Sequence, residues 1–172
     1  MAATLLNPAI LFFFPAAMAM AASMDVVTMT IPNRVSAALA IGYLALALAL
    51  GVPLQSILIH FSCGAGVLAI AFALFSLGWI GGGDAKLAAA TGLWFGWGLM
   101  LDYSLSAAIY GGALTLLILL GRRLVLPVFL SRHLWIARLH DAKTGIPYGV
   151  ALAAAGLMLY PQTEIWRAAA SL

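Results

Sequence analysis

Residues 54–80 read LQSILIHFSCGAGVLAIAFALFSLGWI, a run without one Asp, Glu, Lys or Arg. A helix needs about 20 apolar residues to cross a hydrocarbon core roughly 30 Å thick, so this stretch alone is long enough to span a bilayer. The character continues outward from it. Of 172 residues, 65% are hydrophobic and only 8% charged, and the mean hydropathy is +1.11. A soluble domain carries about 25% charged residues, and this chain lacks the polar side chains to cover a core in water. Disorder is excluded by the same apolar excess. Continuous apolar runs, instead of alternation over about ten residues, exclude a transmembrane barrel. The fold class is therefore all-α and polytopic in the membrane.

Apolar runs between breaks give six spans, at 5–24, 36–51, 54–80, 85–101, 103–121 and 147–165, joined in a single transmembrane domain over 1–172. The second and fourth are short for a full crossing, which implies local thinning of the bilayer or borrowed flanking residues. Gly51-Val52-Pro53 separates the second from the third, and Asp102 alone separates the fourth from the fifth; both read as tight hairpins. The first span has the apolar centre and small residues (Ala19, Ala21, Ala22, Ser23) of a signal peptide, but its first basic residue, Arg34, comes after it. That order favours a retained helix with its N-terminus outside. The cytoplasmic loops then hold Arg34, Lys86, Arg122, Arg123, Arg132, Arg138 and Lys143, against Arg167 alone on the outer side. This asymmetry follows the positive-inside rule and returns the C-terminus to the outside. In the basic loop 122–146, Val128–Leu139 reads as one short amphipathic helix in the lipid interface, either a topology anchor or a docking element for substrate or partner.

A net charge of +3 does not point to nucleic acid. The single Cys63 can form neither an intrachain disulfide nor a zinc cluster, and neither metal nor cofactor is expected. The five acids can be read one by one. Asp102 lies at the outer edge, Asp141 is expected to pair with Arg138 or Lys143, and Glu164 with Arg167 at i,i+3. Asp25 ends the first span and Asp84 begins the fourth, both at the cytoplasmic edge. Alone, Asp84 after Gly81-Gly82-Gly83 reads as a helix cap behind a flexible loop, and Asp25 as an acid meeting solvent. Together, two carboxylates on different helices at one edge are the parts of an aspartic dyad. One takes a proton from water while the other, protonated, polarises the scissile carbonyl, because like charges about 3 Å apart cannot both ionise. The pair titrates as a unit, so either acid can be the base.

Gly81-Gly82-Gly83-Asp84-Ala85-Lys86, with Asp25 and Ile31-Pro32-Asn33 upstream and Ile146-Pro147-Tyr148-Gly149 downstream, resembles the GxGD aspartyl proteases. Within these the chain is most similar to the type IV prepilin peptidases, in particular the short CpaA/TadV-like members of Flp/Tad pilus systems. The resemblance runs from about Asp25 to Gly156. It implies a bacterial inner-membrane endopeptidase that removes the short basic leader from prepilins at the cytoplasmic face, typically after a glycine. It implies Asp25 and Asp84 as the catalytic pair and Gly81 and Gly83 as loop-shaping residues. Lys86, Asn33 and Arg34 would contact substrate or lipid, and prepilins and membrane lipids would be the partners. Longer, bifunctional members carry paired Cys-x-x-Cys motifs in a cytoplasmic domain and also methylate the product. Here one cysteine and about ten residues between the first two spans leave no such domain. Two rival readings use the same acids: a small ion-coupled transporter or channel, or an inert pilus-assembly membrane factor. Transport sites usually lie near the bilayer midplane, often in broken helices.

Overall fold

The structure, a computed structural model, describes residues 2–170, with side chains for 11–168. Among the described residues there is no strand. The helices are α1 (Ala2–Thr28), α2 (Asn33–Ala49), α3 (Leu54–Ser76), α4 (Gly82–Gly121), α5 (Val128–Ser131), α6 (Leu134–His140), α7 (Gly149–Leu159) and α8 (Glu164–Ala170). Three stretches are long and apolar enough to cross a membrane: Leu11–Thr28, Leu54–Ser76 and Gly82–Gly121; α2 is apolar but shorter.

Glycine and proline set the short connections. α2 ends with Gly51 at φ 69, the Val52 N–H bonded to the Ala47 carbonyl and the Gly51 N–H to that of Leu48. α3 ends the same way, with Gly78 at φ 74 and Trp79 N–H on the Leu74 carbonyl. This is the Schellman closure, which a glycine in the left-handed region allows without a Cβ clash. Pro53 and Pro32 then precede α3 and α2, where a missing N–H costs nothing.

The helix break expected at Asp102 falls instead at Gly96. A straight helix of 40 residues would measure about 60 Å, twice the hydrocarbon thickness. Gly96 has φ 58 and ψ −177, a non-helical conformation within α4. The chain reverses there into two antiparallel arms, 82–95 and 97–121. The Phe95 and Tyr103 rings lie 5.2 Å apart, where a continuous helix would separate those residues by about 12 Å. Asp84 and Ala107 line one cavity, although about 34 Å would part them along a straight axis. Asp102 is simply an exposed residue of the second arm.

The last span also differs from expectation. α7 stops at Leu159, a 3-10 turn covers Tyr160–Gln162, and α8 follows. Glu164 pairs not with Arg167 but with α3, its Oε2 accepting from Ser56 Oγ at 2.8 Å and lying 3.4 Å from His60 Nε2. The interfacial helix expected at Val128–Leu139 is two short ones, α5 and α6, broken at Arg132-His133. Val128, Phe129 and Leu134 are exposed there. Asp141 uses its carboxylate locally, on the Lys143 backbone N–H at 2.9 Å.

Lipid is as apolar as a leucine core, so helix association in a bilayer relies on close packing and hydrogen bonds more than on burial from water. The packing centre here is aromatic. Trp94 is fully buried, 5.0 Å from Phe14 and 5.9 Å from both Tyr43 and Tyr160, and its indole N–H donates to the Leu39 carbonyl at 3.0 Å. One side chain of the first arm thereby ties α1, α2 and the turn after α7. α7 packs against α1 and α4, which brings its N-terminus beside the end of α1.

Candidate active site

Asp25 lies in the last turn of α1, and Met29 directly after it adopts φ 55. A left-handed conformation costs a non-glycine residue about 1–2 kcal/mol. It turns the chain so that Ile31 folds back under the start of α4. Asp25 is buried, and its Oδ2 accepts the Gly149 backbone N–H at 2.7 Å. Such a charge-assisted bond to a fixed backbone donor contributes about 1.5–3 kcal/mol. Gly149 is the first residue of α7, so the carboxylate also sits at a helix N-terminus, where the aligned peptide dipoles favour negative charge.

Asp84 occupies the first turn of α4, not the cap position, which belongs to Gly81. Its carboxylate bends back over Gly81, bonding that backbone N–H; Oδ1 is buried and has no hydrogen-bond partner. A Cβ at Gly81 would lie 2.8 Å from Asp84 Oδ2. Gly83 serves another contact, since a Cβ there would meet Ile31 Cβ at 3.1 Å and Ile31 N at 3.3 Å. The Gly-rich run and the Ile-Pro-Asn segment are thus two halves of one packing contact.

Both acids line a cavity of about 710 Å³ and feel each other's charge. Its other walls are Met29, the α3–α4 turn at Gly78–Gly81, Thr115 and Tyr148. Lys86 and Asn33 are joined to each other, Nζ donating to Oδ1 at 2.9 Å, and line a separate cavity between α2, α3 and the first arm. Arg34 is exposed. The structure therefore gathers Asp25, Asp84 and Gly81 at one place and sets Lys86 and Asn33 apart from it. Among the described residues, no three His, Cys, Asp or Glu side chains form a group that could hold a metal.

Sequence reasoning missed the part of Gly149. Ile-Pro-Tyr-Gly was legible as a motif, but nothing local says that its glycine N–H meets an acid in α1. Arg122 was also missed as a clamp. Its guanidinium donates to the carbonyls of Leu139, Thr144 and Gly145 at 2.8, 2.9 and 3.1 Å, setting the loop that delivers Tyr148 and Gly149. Arg138 similarly reaches the Val27 carbonyl at 3.0 Å, next to Asp25. These basic residues hold the loop to the site as well as contributing to the charge asymmetry.

The profile of the type IV leader peptidase family matches residues 12–116. The chain belongs to the type IV leader peptidase family. The match includes Asp25, Asp84 and the Gly96 reversal, whereas the loop and helix that carry Gly149 lie beyond it. Among curated proteins and solved structures, none is significantly similar to the chain. Membership gives this leader peptidase, in general terms, the role of a type IV prepilin peptidase. Its long apolar helices fit a protease of the membrane.

Proposed function

We propose that the chain is an aspartic endopeptidase that removes the basic leader of Flp-like type IV prepilins at the cytoplasmic face of the bacterial inner membrane. Asp25 and Asp84 activate the water. The observation that carries this reading is the convergence of the two acids, from α1 and α4, on one cavity. In the reaction the ionised carboxylate takes a proton from water, whose oxygen attacks the scissile carbonyl carbon. The protonated partner donates to the carbonyl oxygen, giving a tetrahedral diol. Its collapse breaks the C–N bond, and the departing amine leaves with a proton from the dyad. Gly149 N–H fixes Asp25, and the small Gly81 leaves Asp84 room against the backbone.

A topology of six membrane segments is part of this reading. The end of α1, the turn after α3, the first turn of α4, its second arm and the residue before α7 all contribute to the cavity that holds the acids. Seven basic residues fall at the acids' end and Arg167 at the other, which puts the acids inside and both chain ends outside. Water and leader then reach the dyad from the cytoplasm without a path through the bilayer. An acid pair at an edge suits this better than ion transport.

The test is co-expression with a tagged Flp-type prepilin, following loss of the leader by mass. The full chain should release the leader at one site, and Asp25→Asn and Asp84→Asn should each leave the prepilin intact. Processing retained in both variants would overturn the dyad. Gly149→Ala probes the anchor, since its Cβ would lie 2.8 Å from Asp25 Oδ2 and 2.7 Å from Ile31 Cδ1. Displacing the carboxylate should slow leader removal by about tenfold or more, equivalent to about 1.4 kcal/mol of barrier. An initial rate within twofold of the parent protein would remove Gly149 from the site.

A further inference from the structure

Apart from the cavity that holds the acids, a groove of about 560 Å³ lies between α2, α3 and the first arm of α4. Its floor is a close helix contact. A Cβ at Gly64 of α3 would lie 2.6 Å from Leu93 Cδ2, and one at Gly92 would lie 3.4 Å from the Gly64 Cα. α2 packs on α1 and α4 instead of along α3, which leaves the space open between them. Ala37 of α2 and Ala65 and Leu68 of α3 form the exposed walls, so the groove faces the lipid. It follows the first arm from Lys86 to Leu93, about 10 Å. Polar groups gather at the Lys86 end. Lys86 Nζ gives one donor to Asn33 Oδ1 at 2.9 Å, which positions the ammonium and leaves two N–H groups free. Among the described residues no carboxylate pairs with it. Ser36, one turn along α2 from Asn33, has a buried hydroxyl without a hydrogen-bond partner.

We infer that this groove holds an anionic glycerophospholipid, with its phosphate on Lys86 and Asn33 and one acyl chain along the alanines. The inference requires only that the chain sits in a membrane and is independent of the peptidase reading. Three features select that occupant. Charge at one end followed by apolar wall matches a phosphate joined to a hydrocarbon chain, and basic pockets between membrane helices bind anionic headgroups. An unpaired cation at the edge of a bilayer is costly, and a phosphate neutralises Lys86 where no acid of the chain does. The Asn33 amide N–H groups and the Ser36 hydroxyl add neutral donors at the same end. A helix from another chain fits the small residues but brings no anion to Lys86. In this place the lipid completes the contact between α2 and α3 that the protein leaves open.

The test is native mass spectrometry of the full chain, purified in mild detergent and mixed with equal amounts of phosphatidylglycerol and phosphatidylcholine of matched chains. The parent should retain phosphatidylglycerol about fivefold or more over phosphatidylcholine, the selectivity that about 1 kcal/mol from one lysine near a headgroup provides. Lys86→Gln, whose amide can still donate to Asn33, should bring that ratio below about twofold. Lys86→Arg should keep it, as should Arg123→Gln, which removes an exposed charge outside the groove. Ala65→Trp fills the groove and should lower retention of both lipids by about fivefold, whereas Ile109→Trp, exposed on the second arm, should leave it unchanged. A parent ratio short of fivefold would overturn the lipid site, as would a ratio kept by Lys86→Gln or lost equally in Arg123→Gln. So would full retention by Ala65→Trp, or a chain that carries a second copy of itself in place of lipid. Leader removal plays no part in the measurement, so its failure and that of the peptidase reading are separate results.

Discussion

Asp84→Asn is expected to lower the rate of leader removal by about 10⁴-fold while leaving the fold intact. Proton transfer by a positioned side chain contributes about 10²–10⁴-fold, and a neutral amide can neither take a proton from water nor give one to the carbonyl. A factor of 10⁴ corresponds to about 5.5 kcal/mol of barrier. The substitution is nearly isosteric, and the amide oxygen can still accept the Gly81 N–H that the carboxylate accepts. Two electrostatic changes oppose each other. A negative charge is lost from the first turn of α4, worth about 0.3–1 kcal/mol, and repulsion from Asp25 is relieved. Thermal stability should therefore stay within about 1 kcal/mol of the parent. The measurement is a mass-resolved time course at matched protein levels, with melting of the purified protein beside it. Processing within tenfold of the parent would end the case for Asp84 as a catalytic acid. Lost processing with a collapsed melting temperature would mean that the carboxylate serves the fold.

Gly96→Ala should do the converse and damage the fold. The φ 58, ψ −177 conformation is essentially restricted to glycine, and imposing it on another residue costs about 1–3 kcal/mol. The new Cβ would also lie 2.9 Å from His60 Nε2. His60 cannot yield freely, because Nδ1 is bonded to the Leu93 carbonyl at 2.7 Å, Nε2 faces Glu164, and the ring stacks 5.4 Å from Tyr43. Losing one of those bonds adds about 1 kcal/mol. A total of about 2–4 kcal/mol is a large share of the 5–15 kcal/mol that holds a typical protein together. Gly98→Ala is the control, since a Cβ there meets nothing within 4 Å and alanine favours a helix. Protease resistance and melting in detergent should fall sharply for Gly96→Ala and hold or rise for Gly98→Ala. Equal melting of the two variants would deny that Gly96 sets the reversal.

The contrast between Gly96 and Asp102 explains what a single sequence offers. A charged residue within an apolar run is the natural place to divide two spans, and Asp102 was the only charge available. The actual reversal uses a conformation that only the backbone records, at one glycine among Gly92, Gly96 and Gly98. Trp94 and Trp97 flank it, and paired tryptophans near a membrane interface were a usable signal. Glu164 shows the same limit. Arg167 is a local partner at helical spacing, but the break after α7 turns the acid towards His60 and Ser56 on a distant helix. Lys86 lies two residues from Asp84, a spacing that points the two to different sides of a helix, yet its bond to Asn33 depends on how α2 meets α4.

By itself the sequence determined the solvent and the punctuation. Scarce charge placed the chain in lipid, Gly51-Val52-Pro53 marked a turn, and the skewed basic residues supported an orientation. Those signals act within a helical turn or through bulk composition, so they survive being read one residue at a time. The tertiary structure alone decided that the chain reverses at Gly96, that Gly149 N–H holds Asp25, and that Ile31 packs on Gly83 beside Asp84. Each of those contacts joins side chains or backbone from separate helices. Their energies depend on ångström-scale packing between helices, which no local propensity encodes.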